Sequence, residues 1–377
     1  MSIQIKRVET PGERKQFIRF AWKIYRNDPE LDRNWVPPVV SDYMKTLDTS
    51  SYPLYDHAEL AMFTAWRDDR MVGTIAAIRN RRHNEIHGDK VGFWGFFECI
   101  DDQKVADALF DAAALWLKSK GLDSMRGPVS PSMNDQCGML TKGYDSPPVF
   151  LMLYNPPYYN ELCRNAGHEV AQELLAWYID QKSIDIDRLR RIAGHVMRRE
   201  GLTIRTLDMK RFDSEVEKMR TIYNGAWEKN WGFVPMTDKE FDFLAKSLKP
   251  IANPHYIYFV EDSQGRTVGF SLSLPDINQA LKHVNGNPFT PWGLAKYLWY
   301  KRNIDMVRTI VMGVLPEYRN KGVDSIMNAH IADYGGRHGV FASEMSWVLK
   351  SNEAMSKLAS VIGGKPYKEY VIYEKPI

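Results

Sequence analysis

Three observations predict an α/β chain of two tandem domains, each a central mixed sheet of the α+β kind with helices on both sides. The first is size: 377 residues, 44% hydrophobic and 26% charged, form an ordinary globular composition, enough for about two separately buried cores. The second is an internal echo. "VGTIAAI" begins at Val72 and "VGFSLSL" at Val268, and "LCRNAGHE" begins at Leu162 and "LASVIGGK" at Leu358, both pairs 196 residues apart. Gly167 with Gly363, and Trp177 with Tyr373, keep that offset. A constant offset over distant segments marks a duplicated domain, not a short solenoid repeat. The third is that the order of strand-like and helix-like segments repeats in the two halves.

The first copy spans residues 1 to 182. "IQIKRVET" alternates as a strand, and "GERKQFIRFAWKIY" has helical periodicity. "LAMFTAWRDD" and "RMVGTIAAIRN" read as a hairpin turning at Asp68, Asp69 and Arg70. The basic run "RNRRHNEIH" (Arg79 to His87) reads as a solvated hairpin end. "VGFWGFFECI" is a buried strand and "QKVADALFDAAALWLKSKG" a helix closed by Gly121. "SMRGPV" and "ELLAWYID" are further strands, with a helix from about Tyr158 to Asn165 between them. The stretch from Asp185 to Glu200, polar on one face, reads as a helical linker over residues 183 to 200.

The second copy, residues 201 to 377, repeats the pattern with "LTIRTLDM", helices from about Asp213 and Thr237, "YIYFVED" and "RTVGFSLSL". The strand "MVRTIVMGV" (Met306 to Val314) and a helix follow, then "EMSWVL", "NEAMSKLASVIG" and "KEYVIYEK".

Bulk properties narrow the function. Net charge is +3, from 50 Lys and Arg against 47 Asp and Glu, too small an excess to argue for nucleic acid or a strongly anionic membrane surface. Cys99, Cys137 and Cys163 show no CxxC spacing and suit a reducing compartment. "MSIQIKRVET" lacks the apolar core of a signal peptide, and no stretch approaches about 18 consecutive apolar residues. A cytoplasmic protein is expected.

Between the strand "MVRTIVMGV" and the helix-like "DSIMNAHIADYGGRHG" lies "LPEYRNKGV". A strand that turns into a helix leaves backbone N–H groups without partners at the positive end of the helix dipole, where a phosphate fits. Arg319 and Lys321 add charge, and Gly322 lets the backbone approach a ligand. A plain surface turn with solvated basic residues is the competing reading.

Val314, Pro316, Arg319 and Gly322, in a strand-loop-helix, followed by Asn352 at the start of a later helix, resemble the GNAT superfamily of acyl-CoA-dependent N-acyltransferases. The resemblance covers residues 200 to 377, and the first half in element order only. It implies acyl-CoA as co-substrate, with no metal, and the thioester in a notch where two strands splay. Carried over by position, Met312, Gly313 and Val314 would bond the pantetheine arm through their backbone. Arg319, Asn320, Lys321, Gly322, Val323, Asp324 and Ser325 would hold the pyrophosphate, and Asn352 would sit near the sulfur. Two residues depart from the family pattern. Asp324 stands where glycine or alanine is usual, and Ala359 where many members carry a tyrosine that protonates the thiolate. The first copy has "DDQKVADALF" instead of a loop, with acids where an anion site would want amides; a lost coenzyme site and a role in shaping the acceptor pocket between the copies are implied. A tandem with one degenerate copy resembles N-myristoyltransferases and Fem-type peptidyltransferases. It is also similar to a bacterial double-GNAT group said to include GNAT-type ceramide synthases.

N-acyl transfer needs a deprotonated amine, a polarised thioester carbonyl and a proton for the leaving thiolate. Strand alternation in "SEMSWVLKSN" puts Glu344, Ser346 and Val348 on one side, with Met345, Trp347 and Leu349 on the other. Glu344 is the best-placed base, directly or through water, against the plain reading of a strand-end surface carboxylate. Ser346 could support the oxyanion, and Tyr367 or Tyr370 could replace the missing acid. In the first copy, Ser132, Asn134 and Asp135 crowd the loop "GPVSPSMNDQCGML", the kind that carries acceptor-binding groups on a rigid scaffold. Residues 277 to 303 hold Trp292, Tyr297, Trp299 and Tyr300 among leucines and basic residues. Such a segment could roof a long-chain acyl pocket with Trp292, touch a bilayer as a peripheral contact, or simply complete the core.

The sequence therefore points to an N-acyltransferase that joins an acyl group to a small-molecule or lipid-like primary amine, with no nucleic-acid partner. A Fem-like transferase using aminoacyl-tRNA and a non-catalytic acyl-CoA-binding protein are the competing readings. The oligomeric state is not legible.

Overall fold

The computed structural model describes residues 2–227 and 230–377. In chain order the first elements are β1 (Gln4–Arg7), α1 (Pro11–Arg19), α2 (Ala21–Tyr25), α3 (Pro29–Asn34), α4 (Val40–Thr46), β2 (Ala58–Arg67) and β3 (Arg70–Asn80). Next come α5 (Arg81–His87), β4 (Val91–Cys99), α6 (Gln103–Ser119), β5 (Ser124–Gly127), β6 (Val129–Ser130), β7 (Gln136–Cys137), β8 (Met139–Lys142), α7 (Tyr159–Asn165) and β9 (Glu169–Asp180). They are followed by α8 (Ile186–Glu200), β10 (Thr203–Thr206), α9 (Phe212–Trp227), α10 (Asp238–Leu248), β11 (Ile257–Glu261), β12 (Thr267–Pro275), α11 (Asn278–Leu281) and α12 (Pro291–Lys301). The chain ends with β13 (Met306–Val314), α13 (Val323–Arg337), β14 (Ala342–Leu349), α14 (Glu353–Val361) and β15 (Lys365–Pro376). Among the described residues no helix is long and apolar enough to cross a membrane.

Two compact units divide the chain. The first holds the residues through Leu174 with Asn278–Arg302 and Lys368–Ile377; the second holds Leu175–Ile277 and Asn303–Tyr367. Two of the four divisions fall inside β9 and inside β15, and the other two bracket α11 and α12.

In the first unit the strands run β1-β2-β3-β4-β5 with the end of β15 beside β5, and only β4–β5 is parallel. The β2–β3 hairpin turns where expected, because Asp68 and Asp69 both take the left-handed conformation, at φ 47° and 59°, that such a tight turn requires. α6 lays Val105, Leu109, Phe110 and Ala113 on Ile75, Ala77 and Trp94, the spacing of one helix face. The basic run after the hairpin is not a solvated end. It forms α5, because the Asn80 side chain accepts the His83 N–H and caps it, and His83 is buried against Phe93.

In the second unit the strands run β14-β13-β12-β11-β10, and only β13–β14 is parallel. α8, read from sequence as a join, packs Leu189, Ala193 and Val196 into one core with Val323, Ile326 and Met327 of α13. A second cluster gathers Phe212, Val216 and Met219 of α9 with Phe241, Phe259 and Phe270. A Thr237–Glu240 capping box starts α10. The alternation expected along β14 is broken: Val348 shares the core with Met345, and the Ser346–Trp347 peptide between them is cis.

Candidate active site

The second unit's parallel ladder is short. Met306, Val307, Arg308 and Thr309 of β13 pair with Ala342, Ser343, Glu344 and Met345 of β14, and there the pairing ends, although β13 continues to Val314 and β14 to Leu349. The cause lies on the other side of β13. Against β12, Leu272 pairs with Val311 but Ser273 with Thr309, so Ile310 is an extra residue, and such a bulge bends its strand. The two strands thus run on without pairing to each other, and the backbone groups on their facing edges have no ladder partner there.

At the last paired rungs stands a buried polar cluster. Arg308 and Glu344 face each other across the ladder, both essentially without exposed surface. Arg308 Nε donates to Ser346 Oγ at 3.0 Å and its Nη2 to the Ser346 carbonyl at 3.2 Å. Its guanidinium lies 5.0 Å from the Trp347 ring centroid. Ser346 Oγ and the Tyr367 hydroxyl both donate to the Glu344 carboxylate, and Arg308 Nε lies 3.9 Å from Glu344 Oε1. A buried carboxylate held by one cation and two hydroxyls is a satisfied network. Glu344 is therefore an interior group, not the strand-end surface carboxylate of the plain reading. Among the described residues, the indole N–H of Trp347 and the Ser271 hydroxyl, on strand β12 beside Met312, have no protein partner.

β13 leads into the loop. Met312, Gly313 and Val314 are its last residues, paired only toward β12, with Ser271, Phe270 and Gly269. Arg319 and Asn320 are exposed. Asn320 and Gly322 both have left-handed backbones, at φ 60° and 85°, which turn the chain sharply before α13. Gly322 is required twice over, since a Cβ there would also fall 3.0 Å from Val196 Cγ2. Lys321 Nζ lies 3.6 Å from Glu200, and Arg199 donates to the Lys321 carbonyl at 3.0 Å. Glu317 with Arg266, and Tyr318 with Asp262, hold the outer side of the turn.

Val323 is buried as the first residue of α13. Asp324 is half-buried, and burial pushes its carboxyl above the usual aspartate range, opposed by the nearby N–H groups of Ser325 and of Asp324 itself. The Ser325 N–H donates to the Gly322 carbonyl at 3.0 Å, so the carboxylate stands near the helix's first turn as a charge, at the end where a bound phosphate would sit. Asn352 caps α14, its side chain accepting the Met355 N–H at 3.1 Å. Ala359 is buried in the core.

The structure brings Glu344, Ser346 and Tyr367 together. Tyr370 belongs to the first unit, wholly buried, with its hydroxyl 3.3 Å from the Leu153 carbonyl. Ser132, Asn134 and Asp135 form a bonded turn in the first unit: Ser132 Oγ donates to Asp135 and accepts the Asn134 N–H, and Tyr52 donates to Asp135 at 2.8 Å. Trp292 stands on α12, in the first unit, 83% exposed. Among the described residues no group of His, Cys, Asp and Glu is placed to hold a metal.

Arg308 was missed. Its signal was available, because a single arginine inside the apolar run "MVRTIVMGV" must find a partner if the strand is buried. Glu98 on β4 was missed too. Tyr159 donates to it at 2.7 Å, and burial raises its carboxyl to about 8 against hydrogen bonds from Tyr159 and Tyr25 that lower it.

No family model matches the chain. It is 34% identical over 371 residues to protein YghO of Escherichia coli K12, covering 96% of this chain and 93% of that one. It is 34% identical over 379 residues to the bacterial ceramide synthase of Caulobacter vibrioides, covering 98% and 96%. Among solved structures, a tandem GNAT protein from the clavulanic acid biosynthesis pathway superposes with a TM-score of 0.58 at 12% identity, over 100% of this chain and 98% of that one. A GCN5-related N-acetyltransferase from Sphaerobacter thermophilus superposes at 0.51 with 12% identity, over 99% and 95%. At such identities the likeness is one of fold.

Proposed function

The chain belongs to the family of tandem GNAT-fold proteins, and from that premise we propose that it is an N-acyltransferase moving an acyl group from acyl-CoA to a primary amine. The observation that carries this reading is the β13–β14 splay with the Arg308–Glu344–Ser346–Tyr367 cluster at its closed end. Acyl-CoA enters as substrate: its pantetheine arm lies along Met312 to Val314, and its pyrophosphate sits on the amides and cations from Arg319 to Val323. The Trp347 N–H supplies an unused donor near the splay. Lys321 can exchange its exposed Glu200 contact for a phosphate at little cost, because surface ion pairs of this kind contribute about 0–1 kcal/mol.

In the proposed reaction the amine nitrogen bonds to the thioester carbon and the carbon–sulfur bond breaks. Glu344 takes the amine's proton, directly or through water. The Tyr367 hydroxyl gives its proton to the departing thiolate and recovers one from Glu344 across their hydrogen bond. The net transfer is one proton from amine to thiol, and Arg308 keeps Glu344 in place throughout. A long acyl chain and a lipid-like amine are the preferred substrates, a choice supported by the relative named as a ceramide synthase.

Calorimetric titration with CoA, acetyl-CoA and palmitoyl-CoA tests the reading. All three should bind, palmitoyl-CoA most tightly, and Arg319→Glu with Lys321→Glu should weaken each without unfolding the protein. Unchanged affinity in that variant would remove the loop from the site. Asp324 in the first turn of α13 and the buried Ala359 favour a second reading, a binding protein without catalysis. Glu344→Gln separates the two, since loss of a general base should lower the rate of free-thiol release about 10²–10⁴-fold while CoA still binds.

A further inference from the structure

Helix α12 faces the wrong way for a globular helix. Its few shielded residues, Gly293, Tyr297 and Tyr300, lie on one side, with Tyr300 stacked on His283 at 3.7 Å between centroids. Trp292 is 83% exposed, Trp299 65%, Leu298 52% and Leu294 47%, with Phe289 at 75% just before the helix. At helical spacing Leu294, Leu298, Ala295, Trp299 and Trp292 sweep in that order across roughly half the circumference. Lys301 falls at one edge of this arc and Lys296 at the other. A helix that points tryptophans and leucines into water, with lysines bordering the apolar face, has the pattern of a segment lying in a bilayer interface. There the indoles sit among headgroups and the lysine stems reach up to phosphate.

The charge pattern selects the occupant. Residues 277 to 304 contain no aspartate or glutamate, in a chain that has 47, whereas Lys282, Lys296, Lys301 and Arg302 fall within them. The overall charge of +3 conceals this local excess. A second copy docked on the same face would bring lysine edges together with no acid in the segment to receive them. An anionic lipid surface meets both the apolar arc and its basic border. We propose that α12, with Phe289, is a peripheral membrane anchor that inserts its tryptophans at the headgroup level of an anionic bilayer.

Co-sedimentation of the full chain with vesicles tests this independently of the acyl transfer. Vesicles of phosphatidylcholine with about one-third phosphatidylglycerol should pull the protein down, less so at high salt and less so without the anionic lipid. Trp292→Ser with Trp299→Ser should weaken binding at least about tenfold, and Lys296→Glu with Lys301→Glu should do the same on anionic vesicles only. Because all four side chains are exposed, both variants should keep the parent's thermal unfolding and its CoA titration. Failure of the parent to sediment, or equal sedimentation of both variants, would overturn the proposal. So would a dimer in solution that the tryptophan variant turns into a monomer, because the covering partner would then be a second copy.

Discussion

Each unit contains a parallel ladder, of three rungs in the first and four in the second, and the first three correspond. In the first unit Val91, Gly92 and Phe93 face Ser124, Met125 and Arg126; in the second Met306, Val307 and Arg308 face Ala342, Ser343 and Glu344. The third rung is Phe93 with Arg126 in one and Arg308 with Glu344 in the other. Past the ladder the difference widens. In the first unit the chain after β5 turns into β6 and closes on β4: Ser130 Oγ accepts the Phe96 N–H at 2.9 Å, and a Cβ on Gly95 would fall 1.8 Å from the Val129 carbonyl. The following helix, α6, is sealed by Asp102, which accepts from Lys104 and Val105 and is held by Arg67 at 2.8 Å. In the second unit the two strands run on without pairing to each other, and α13 opens at Gly322, which has no side chain to cap it. A duplicated backbone therefore does not duplicate a site. What distinguishes them is whether the chain after the ladder is used to fill the splay.

The largest expected effect comes from making the second unit's third rung resemble the first. Arg308→Met leaves Glu344 buried without its cation, a loss of about 3–5 kcal/mol, read from denaturant unfolding. Arg308→Met with Glu344→Gln should recover a good part of that loss, because no unpaired charge remains. If the double variant is no more stable than the single one, Arg308 acts by packing on Trp347 and the pairing argument fails.

The next test addresses the plug. Gly95→Ala puts a methyl against backbone, which cannot swing aside, and should cost about 3 kcal/mol. Gly269→Ala in the second unit meets a Val323 methyl at 3.1 Å and the Gly313 carbonyl at 3.2 Å, contacts that a shift of a few tenths of an ångström relieves, and should cost less, about 1 kcal/mol. Equal losses would mean that the first splay is no more tightly filled than the second.

How much of this was legible follows from the kind of signal each feature leaves. Strands, helices and the duplication were readable, because alternation, helical spacing and a constant offset are properties of a single segment or pair of segments. The anion loop was readable for the same reason: strand, basic turn, glycine and helix are contiguous in "LPEYRNKGV". The α5 helix was misread because its basic side chains hid an Asn80 cap. Val348 was misplaced because alternation assumes an unbroken strand. The Arg308–Glu344–Ser346–Tyr367 cluster joins positions as much as 59 residues apart, so only its members, not their meeting, leave a trace in sequence. The fill of the first splay depends on Gly95 meeting Val129, which no local pattern announces.

Glu98 sharpens the comparison. It pairs with Thr74, and Gly313 pairs with Phe270, the residue 196 positions on. Where the second unit has a glycine, the first carries a carboxyl beside the tyrosines Tyr25 and Tyr159. Burial raises that carboxyl from 4.5 to about 8, so the folded chain binds a proton that the unfolded chain releases between these values. The contribution of Glu98 to stability is therefore fully present below about 4.5 and is lost as pH rises to about 8. Glu98→Gln should remove that slope, raising the thermal midpoint relative to the parent above pH 8 and leaving it nearly unchanged near pH 4.5. A parent and variant with parallel pH profiles would show that Glu98 is ionised in the folded state.

The smallest effect expected concerns Asp324, the residue by which this loop departs from its family. Its counterpart in function is Asp102, which seals α6, yet Asp324 is placed inside the first turn of α13 and not before it. An acid there suits the helix dipole, by about 0.3–1 kcal/mol. Under the proposed function its charge repels a pyrophosphate at the same helix end, so the helix would gain at the ligand's expense. Asp324→Asn keeps the size and polarity of the side chain and removes the charge. CoA affinity should rise about fivefold, close to 1 kcal/mol, while the unfolding free energy falls by a few tenths. Because burial holds the Asp324 carboxyl above the usual aspartate range, its protonation as the pH falls should bring the parent's affinity toward that of the variant. Affinities that stay apart at every pH would mean that Asp324 acts on the shape of the loop, not on its charge. A variant that binds CoA no better than the parent even at neutral pH would place the phosphate elsewhere on the chain.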